Sequence, residues 1–169
     1  MPMDRLRTLI VAKDNPPTLT HAARTAVAAV VSLLVAGSFR LPEAYWAAIT
    51  TLIVMQSTLG AALPISAQRL AGTAVGAAFG ALLGTYFAGN VLVFGIGVFA
   101  IGTLCAALRV ERSAYRYASI TLAIVMLIAR SNSKWVIAVH RFCEVSIGIA
   151  VGLAISALWP ERKPPATRR

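Results

Sequence analysis

Long uncharged apolar runs, separated by short basic patches, dominate this sequence of 169 residues. Runs of about 18 or more apolar residues are long enough to cross the hydrocarbon core of a bilayer as helices. Hydrophobic residues make up 58% of the chain and charged residues only 13%. Soluble domains are usually about half apolar and about a quarter charged. The pattern therefore predicts an all-α membrane protein rather than a soluble globular domain.

Six transmembrane helices can be placed on these runs. Their predicted bounds are 22–39, 44–63, 68–87, 91–109, 114–129 and 136–159. Pro64 is expected to open the third helix, and Gly89 with Asn90 is expected to turn the chain into the fourth. The predicted organisation is a cytoplasmic N-terminal segment (1–20), a six-helix domain (21–160) and a basic cytoplasmic tail (161–169).

The Lys and Arg residues fall mostly on one side of the predicted membrane domain. An even number of spans places both termini on one side, which holds 12 of the 16 Lys and Arg residues. These are Arg5, Arg7, Lys13, Arg24, Arg69, Arg109, Arg112, Arg116, Arg162, Lys163, Arg168 and Arg169. Arg40, Arg130 and Lys134 lie on the other side, and Arg141 lies inside the sixth span. Both termini are therefore predicted to be cytoplasmic, and the net charge of +10 is attributed to topology and membrane lipid, with no nucleic acid as partner.

The two halves of the chain also resemble each other. A shift of 72 positions superposes Tyr45 on Tyr117, Arg69 on Arg141, Gly76 on Gly148 and Gly80 on Gly152. Each half would contain three spans, and an odd number of spans per repeat forces the halves into opposite orientations. The sequence therefore predicts two inverted three-helix repeats, an arrangement recurrent in secondary transporters. Chance matching of helices rich in Gly and Ala is the alternative.

A glycine occupies every fourth position of the third span. These residues are Gly72, Gly76, Gly80 and Gly84, and Gly148 and Gly152 follow the same spacing in the sixth span. Small residues at this spacing form one ridge of a helix and let a neighbouring backbone approach closely. They are predicted to be helix-packing residues, in a closely packed centre where the repeats meet.

Glu144 takes the place of a glycine in the sixth-span ridge and is the acidic residue of the predicted spans. Fourteen residues separate it from Trp159, about 21 Å of helix, which places it well inside a hydrocarbon layer about 30 Å thick. A charge at that depth is costly unless it is paired or hydrated, and Arg141 lies three residues earlier on the same face. The pair is either functional, with Glu144 coupling transport to protons, or a structural ion pair.

Three further positions complete the polar candidates. An uncharged stretch of about 27 Å follows Arg69, which is therefore expected at the cytoplasmic interface. Arg69 is either a topology signal there or a functional residue. Arg116 belongs to a cytoplasmic basic cluster that attracts anions or contacts lipid headgroups. Gln56 is one of several polar residues in the second span that could line a path or bond between helices.

No hydrolytic or nucleotide-binding signature is present in the sequence. There is no GxSxG, HExxH or P-loop motif, and the two cysteines form no CxxC pair. The prediction is a protein that is not an enzyme and that uses no cofactor and no metal.

Several stretches together resemble the fusaric acid resistance and aromatic acid exporter family. They are Leu-Pro-Glu-Ala-Tyr-Trp-Ala-Ala-Ile-Thr (41–50), Gln-Ser-Thr-Leu-Gly (56–60), Gln-Arg-Leu-Ala-Gly-Thr-Ala-Val-Gly (68–76) and Arg-Phe-Cys-Glu (141–144) followed by Gly148. The second of these departs from the family, which usually has Gln-Pro-Thr where this chain has Gln56, Ser57 and Thr58. The missing proline is expected to straighten the second helix. The third stretch adds Thr73 to the candidate residues.

The resemblance implies a bacterial inner-membrane exporter of aromatic or other organic carboxylates, with an arginine-lined path and a homodimeric assembly. The candidate substrate path is then Arg141, Glu144, Arg69, Gln56, Thr73 and Arg116. The expected partners are membrane lipid, an organic anion substrate and a second copy of the chain. The alternative is a non-transporting membrane subunit, a scaffold assembled through its glycine ridges.

Overall fold

A computed structural model describes residues 18–56, 58–128 and 133–160, and every regular element in these ranges is an α-helix. The helices are α1 (Leu19–Ser38), α2 (Tyr45–Val54), α3 (Leu59–Phe87), α4 (Val91–Ala107), α5 (Arg112–Leu127) and α6 (Lys134–Leu158). The all-α prediction is confirmed. The predicted N-terminal segment and C-terminal tail lie almost wholly outside the described residues.

Side-chain caps define where three of the helices begin. The Thr18 hydroxyl accepts a hydrogen bond from the His21 amide (3.0 Å) at the start of α1, and Thr58 accepts one from Ala61 (3.3 Å) at the start of α3. Asn90 caps two amides of α4, and the preceding Gly89 has φ +76°, a conformation that favours glycine. The predicted turn between the third and fourth helices is therefore present.

The predicted bounds of the second and third helices are wrong. Helix α2 ends at Val54, and residues 59–63 belong to α3 instead. The reason is the Thr58 cap, whose extended backbone (φ −133°, ψ 150°) separates the two helices. Pro64 is the sixth residue of α3 and does not open it. The expectation of a straight second helix is wrong as well, since the chain breaks after Val54 without a proline.

Three helices are long and apolar enough to cross a membrane by length and composition. These are α1 with 20 residues, α3 with 29 and α6 with 25. Helices α2 and α4 are apolar but shorter, with 10 and 17 residues, and α5 has 16. Six membrane spans therefore remain a prediction, whereas three helices of spanning length are present.

Small residues line the interior, and large apolar side chains face outwards. Helix α3 packs against α5 and α6, α6 also packs against α2, and α1 and α4 lie at the periphery. Ala28 and Ala47 are fully buried, whereas Leu92 and Phe99 of α4 are largely exposed. An apolar exterior around closely approaching helices suits a bilayer, because lipid provides no hydrophobic driving force for burying large side chains.

The α3 glycines lie against the backbone of α5. A Cβ atom on Gly76 would lie 2.8 Å from the carbonyl carbon of Ala118, and Gly72 has Ala114 and Tyr117 as its nearest neighbours. The next two glycines of the ridge, Gly80 and Gly84, approach Val125 and Met126. The ridge therefore sets how closely α3 and α5 approach each other.

The α6 glycines make the corresponding approach to α2. A Cβ atom on Gly148 would contact the Ala47 carbonyl oxygen and lie 2.7 Å from Cβ of Thr50, and Gly152 lies against Val54. The Thr51 hydroxyl donates a hydrogen bond to the Gly148 carbonyl (2.9 Å). Each glycine ridge therefore packs on the second helix of the other half of the chain.

Candidate functional site

Arg69 lies inside the protein and not at its edge. It is ten residues, about 15 Å, beyond the start of α3 and is only 7% exposed. The expected helix start at residue 68 is wrong, whereas the position of Arg69 relative to the membrane interface stays a prediction. The guanidinium donates from Nε (3.2 Å) and Nη2 (3.0 Å) to the hydroxyl oxygen of Thr50 on α2.

The other close neighbour of Arg69 is an aromatic ring. Its Cζ lies 4.9 Å from the ring centroid of Tyr117 on α5, within cation–π distance. Among the described residues, no carboxylate lies within ion-pair distance of this guanidinium. Arg69 is thus a buried cation whose described partners are a hydroxyl and an aromatic face.

Arg141 and Glu144 form a buried ion pair on α6. Nη1 of Arg141 and Oε2 of Glu144 are 3.3 Å apart, and the two side chains are 3% and 1% exposed. The spacing of three residues places both on one helix face, as the sequence predicted. Nε of Arg141 is also buried and makes no hydrogen bond to any described residue.

The start of α2 surrounds this pair. The backbone amide of Glu43 donates to Oε1 of Glu144 (3.2 Å), and the Trp46 ring centroid lies 3.5 Å from Cζ of Arg141. The indole Nε1 of Trp46 donates to Oε2 of Glu43 (3.2 Å), which fixes the orientation of the ring. The segment just before α2 therefore holds the carboxylate, and its first turn covers the guanidinium.

The two arginines belong to one cluster because both contact α2, Arg141 at Trp46 and Arg69 at Thr50 one turn later. We call this the arginine cluster: Glu43, Trp46, Thr50, Arg69, Tyr117, Arg141 and Glu144. Its residues come from α2, α3, α5, α6 and the segment before α2. The arrangement brings two guanidinium groups and two carboxylates together in a poorly solvated part of the protein, where electrostatic interactions are stronger than in water.

The remaining predicted path residues lie outside this cluster or at its edge. Thr73 is buried one turn after Arg69 on α3. Gln56 follows the C-terminal end of α2, about 15 Å of helix from the end that contacts Arg141. Arg116 is exposed on α5, while its neighbour Tyr117 joins the cluster.

Arg24 forms a separate buried centre at the Gln56 end of α2. Although the charge count treated it as a topology signal, it is only 1% exposed. Nη1 donates to the Trp159 carbonyl (2.9 Å) and Nη2 to the Gln56 carbonyl (2.5 Å). Arg24 therefore bonds carbonyls just beyond the C-terminal ends of α6 and α2, where a cation is favoured.

The arginine cluster lies within the segment shared with known proteins. Residues 17–155 match the model of the fusaric acid resistance protein-like family, which covers most of the chain. The chain belongs to this family. The resemblance seen in the sequence motifs is therefore confirmed, and together with three helices of spanning length it identifies a membrane protein.

Curated relatives of this family member come from enteric bacteria. The chain is 22% identical over 146 residues to the inner membrane protein YeeA of Escherichia coli (strain K12), covering 85% of this chain and 42% of the relative. It is 30% identical over 149 residues to the uncharacterized transporter YdhK of the same organism, covering 83% of this chain and 22% of the relative. The chain thus spans less than half the length of either relative. No solved structure matches it significantly.

Sequence reasoning did not identify Thr50, Trp46 and Arg24 as site residues. Trp46 and Thr50 both lie in the stretch 41–50 that carries the family resemblance, but neither was singled out there. Tyr117 gave a usable signal, because it falls on Tyr45 in the repeat, and its ring lies 4.9 Å from Cζ of Arg69. No group of three or more His, Cys, Asp or Glu side chains in the described ranges is arranged to hold a metal ion.

Proposed function

We propose that this protein is a membrane transporter for organic carboxylate anions, aromatic ones among them, and that it acts in efflux across the bacterial inner membrane. The observation that carries the proposal is Arg69, a buried guanidinium whose described neighbours include no carboxylate. A buried cation without a counter-ion is costly, whereas an anion that visits the site removes that cost.

The neighbourhood of Arg69 suits reversible binding of an anion. A hydroxyl and an aromatic ring orient the guanidinium without neutralising it. Guanidinium groups bind carboxylates with two parallel hydrogen bonds, which gives strength and orientation together. The sequence favoured Arg141 as the leading residue. Because Arg141 already has Glu144 as partner, the proposal gives Arg69 the leading part and keeps Arg141 as a second position on the path.

The architecture supports a transport path at the interface of two repeats. A shift of 72 residues carries α1 onto α4, α2 onto α5 and α3 onto α6, with bounds that agree within a few residues at most ends. We propose that these are two inverted three-helix repeats, and that all six helices lie in the membrane. The short helix α2 is compatible with this, because broken helices are tolerated in membranes where protein surrounds them.

The relatives support the cellular setting. YdhK is described as a transporter and YeeA as an inner membrane protein. We propose the same membrane for this chain, with both termini cytoplasmic as the charge distribution indicates. We further propose that the protein functions as a homodimer in contact with lipid. Because the chain spans less than half of each relative, their activities are not carried over whole.

A scaffold without transport activity is the second candidate. The observation that favours it is the backbone contact at Gly76 and Gly148, since packing this close also suits assembly alone. A scaffold needs no counter-ion site, and it would tolerate replacement of Arg69 by a neutral side chain of similar length.

The test is flux of radiolabelled benzoate into liposomes that contain the purified protein. Arg69→Gln should reduce saturable flux at least tenfold, whereas Arg40→Gln, which removes an exposed arginine outside the candidate path, should leave it near the wild-type value. Benzamide, a neutral compound of the same shape, should not compete. Absence of flux from correctly folded wild-type protein would favour the scaffold. Equal flux in the Arg69 variant would leave transport standing and would overturn the part proposed for Arg69.

A further inference from the structure

We propose that Glu144 occupies the place that the substrate's carboxylate takes during transport, so that it is an internal competitor for Arg141. An aromatic carboxylate would displace Glu144 from the guanidinium in order to bind. This inference rests on the proposed function and assigns a substrate position and an occluding residue within the same cluster.

The Glu144 carboxylate is held by the donors that a carboxylate ligand would require. One oxygen faces Nη1 of Arg141 at 3.3 Å, and the other accepts the backbone amide of Glu43 at 3.2 Å. The two donors come from different parts of the fold, α6 and the segment before α2. A guanidinium together with a backbone N–H next to a helix N-terminus is a common arrangement for binding anions.

Glu144 uses this site incompletely. It reaches Arg141 through a single contact of 3.3 Å, and the buried Nε of Arg141 bonds to no described residue. A residue three positions along the same helix is constrained in how it meets the guanidinium, whereas a free carboxylate can align with two of its nitrogens. An incoming ligand can therefore satisfy a donor that Glu144 leaves without a partner.

A second guanidinium lies about one helical turn along α2 from this pair. Arg69 donates to the hydroxyl of Thr50 (3.0 Å), four residues after the Trp46 ring that covers Arg141. A ligand that displaces Glu144 from Arg141 therefore binds next to the guanidinium on which the proposed function rests.

Trp46 indicates which carboxylates fit best. Its ring already lies against the Arg141 guanidinium at 3.5 Å, and its bond to Glu43 holds it in place. A ligand with a flat ring next to its carboxylate can pack on this aromatic surface while its oxygens meet the guanidinium. Among carboxylates, one with a flat ring is therefore favoured at this position, and benzoate is the simplest probe of that kind.

The experiment measures benzoate binding to the purified protein in detergent through Trp46 fluorescence. Trp135→Phe and Trp159→Phe first remove the other two tryptophans. Glu144→Gln should then bind benzoate about tenfold more tightly than the parent, because the internal competitor is gone. Glu144→Asp, with a retracted carboxylate, should lie in between. Glu111→Gln is the matched control, since it removes one exposed carboxylate and should leave the affinity unchanged.

A double variant distinguishes competition for the Arg141 guanidinium from the general effect of removing a negative charge. The double variant Arg141→Gln/Glu144→Gln should lose the tighter binding, because the contested guanidinium is absent. If Glu144→Gln binds benzoate no more tightly than Glu111→Gln does, the inference is wrong and the transporter proposal still stands. If neither variant nor parent binds benzoate and the liposomes show no flux, both proposals fail. Should Glu144→Gln not fold, the Glu144→Asp result decides in the same way.

Discussion

Cζ of Arg141 lies 3.5 Å from the ring centroid of Trp46, so that a cation in the second half of the chain stacks on an aromatic ring in the first half. Arg69 and Tyr117 form the reciprocal contact at 4.9 Å, with the cation in the first half and the ring in the second. The two contacts cross between the halves in opposite directions, as the glycine ridges do. The packing of the two halves against each other therefore also determines where the two guanidinium groups lie.

Replacement of Trp46 should separate the two interactions that its ring makes. Trp46→Phe keeps an aromatic face over Arg141 but loses the indole bond to Glu43, whereas Trp46→Leu loses both. A desolvated cation–π contact is worth about 2 kcal/mol. The melting temperature in detergent should therefore fall from wild type to Trp46→Phe to Trp46→Leu. Trp135→Leu, at an exposed site on α6, is the control, and an equal loss there would contradict a specific role for Trp46.

Gly76 should be intolerant of even a methyl group. A Cβ atom there would meet the carbonyl group of Ala118, so that Gly76→Ala must push α3 and α5 apart. Overpacking of this kind costs about 1–3 kcal/mol. Gly60→Ala provides a matched control in the same helix, because nothing lies within 4 Å of its Cβ position. It should raise stability by roughly 0.5–1 kcal/mol. Similar melting temperatures for the two variants would refute the close approach.

Arg24 should stabilise the fold although it lies outside the arginine cluster. Arg24→Gln removes the cation that bonds the carbonyls of Gln56 and Trp159. Hydrogen bonds to charged groups are worth about 1.5–3 kcal/mol each, so the melting temperature should drop markedly. Arg24→Lys should recover part of the loss, since an ammonium group keeps the charge without the planar fork. Arg116→Gln, which removes an exposed arginine, is the control. If the two Gln variants have the same melting temperature, the proposed stabilisation by Arg24 is wrong.

The sequence predicted those helix bounds that local signals determine. Spans 91–109 and 136–159 agree closely with α4 and α6, because an Asn cap, turn residues and apolar length all act within a few residues of each end. The boundary between α2 and α3 failed for a local reason as well. Pro64 is a familiar start signal, but Thr58 caps the helix earlier and Pro64 is accommodated inside it.

The composition of the arginine cluster could be predicted only in part. Arg141 and Glu144 were paired correctly, since three residues along a helix fix their proximity. The Arg69 bond to Thr50 joins residues 19 apart, and the Arg24 bond to Trp159 joins residues 135 apart. Such contacts depend on how the helices pack, and periodicity within one helix carries no information about that packing.

Labelling of single cysteines should establish the orientation of the chain in the membrane. Cys105 and Cys143 are first replaced by alanine, and one cysteine is then placed at Val91 or at Val110, which are both exposed and lie at opposite ends of the α4 region. The charge distribution places residue 91 outside and residue 110 in the cytoplasm. An impermeant maleimide should therefore label Val91→Cys in intact spheroplasts and Val110→Cys only after permeabilisation. The reverse pattern would invert the topology, and labelling of both positions from outside would exclude α4 as a membrane span.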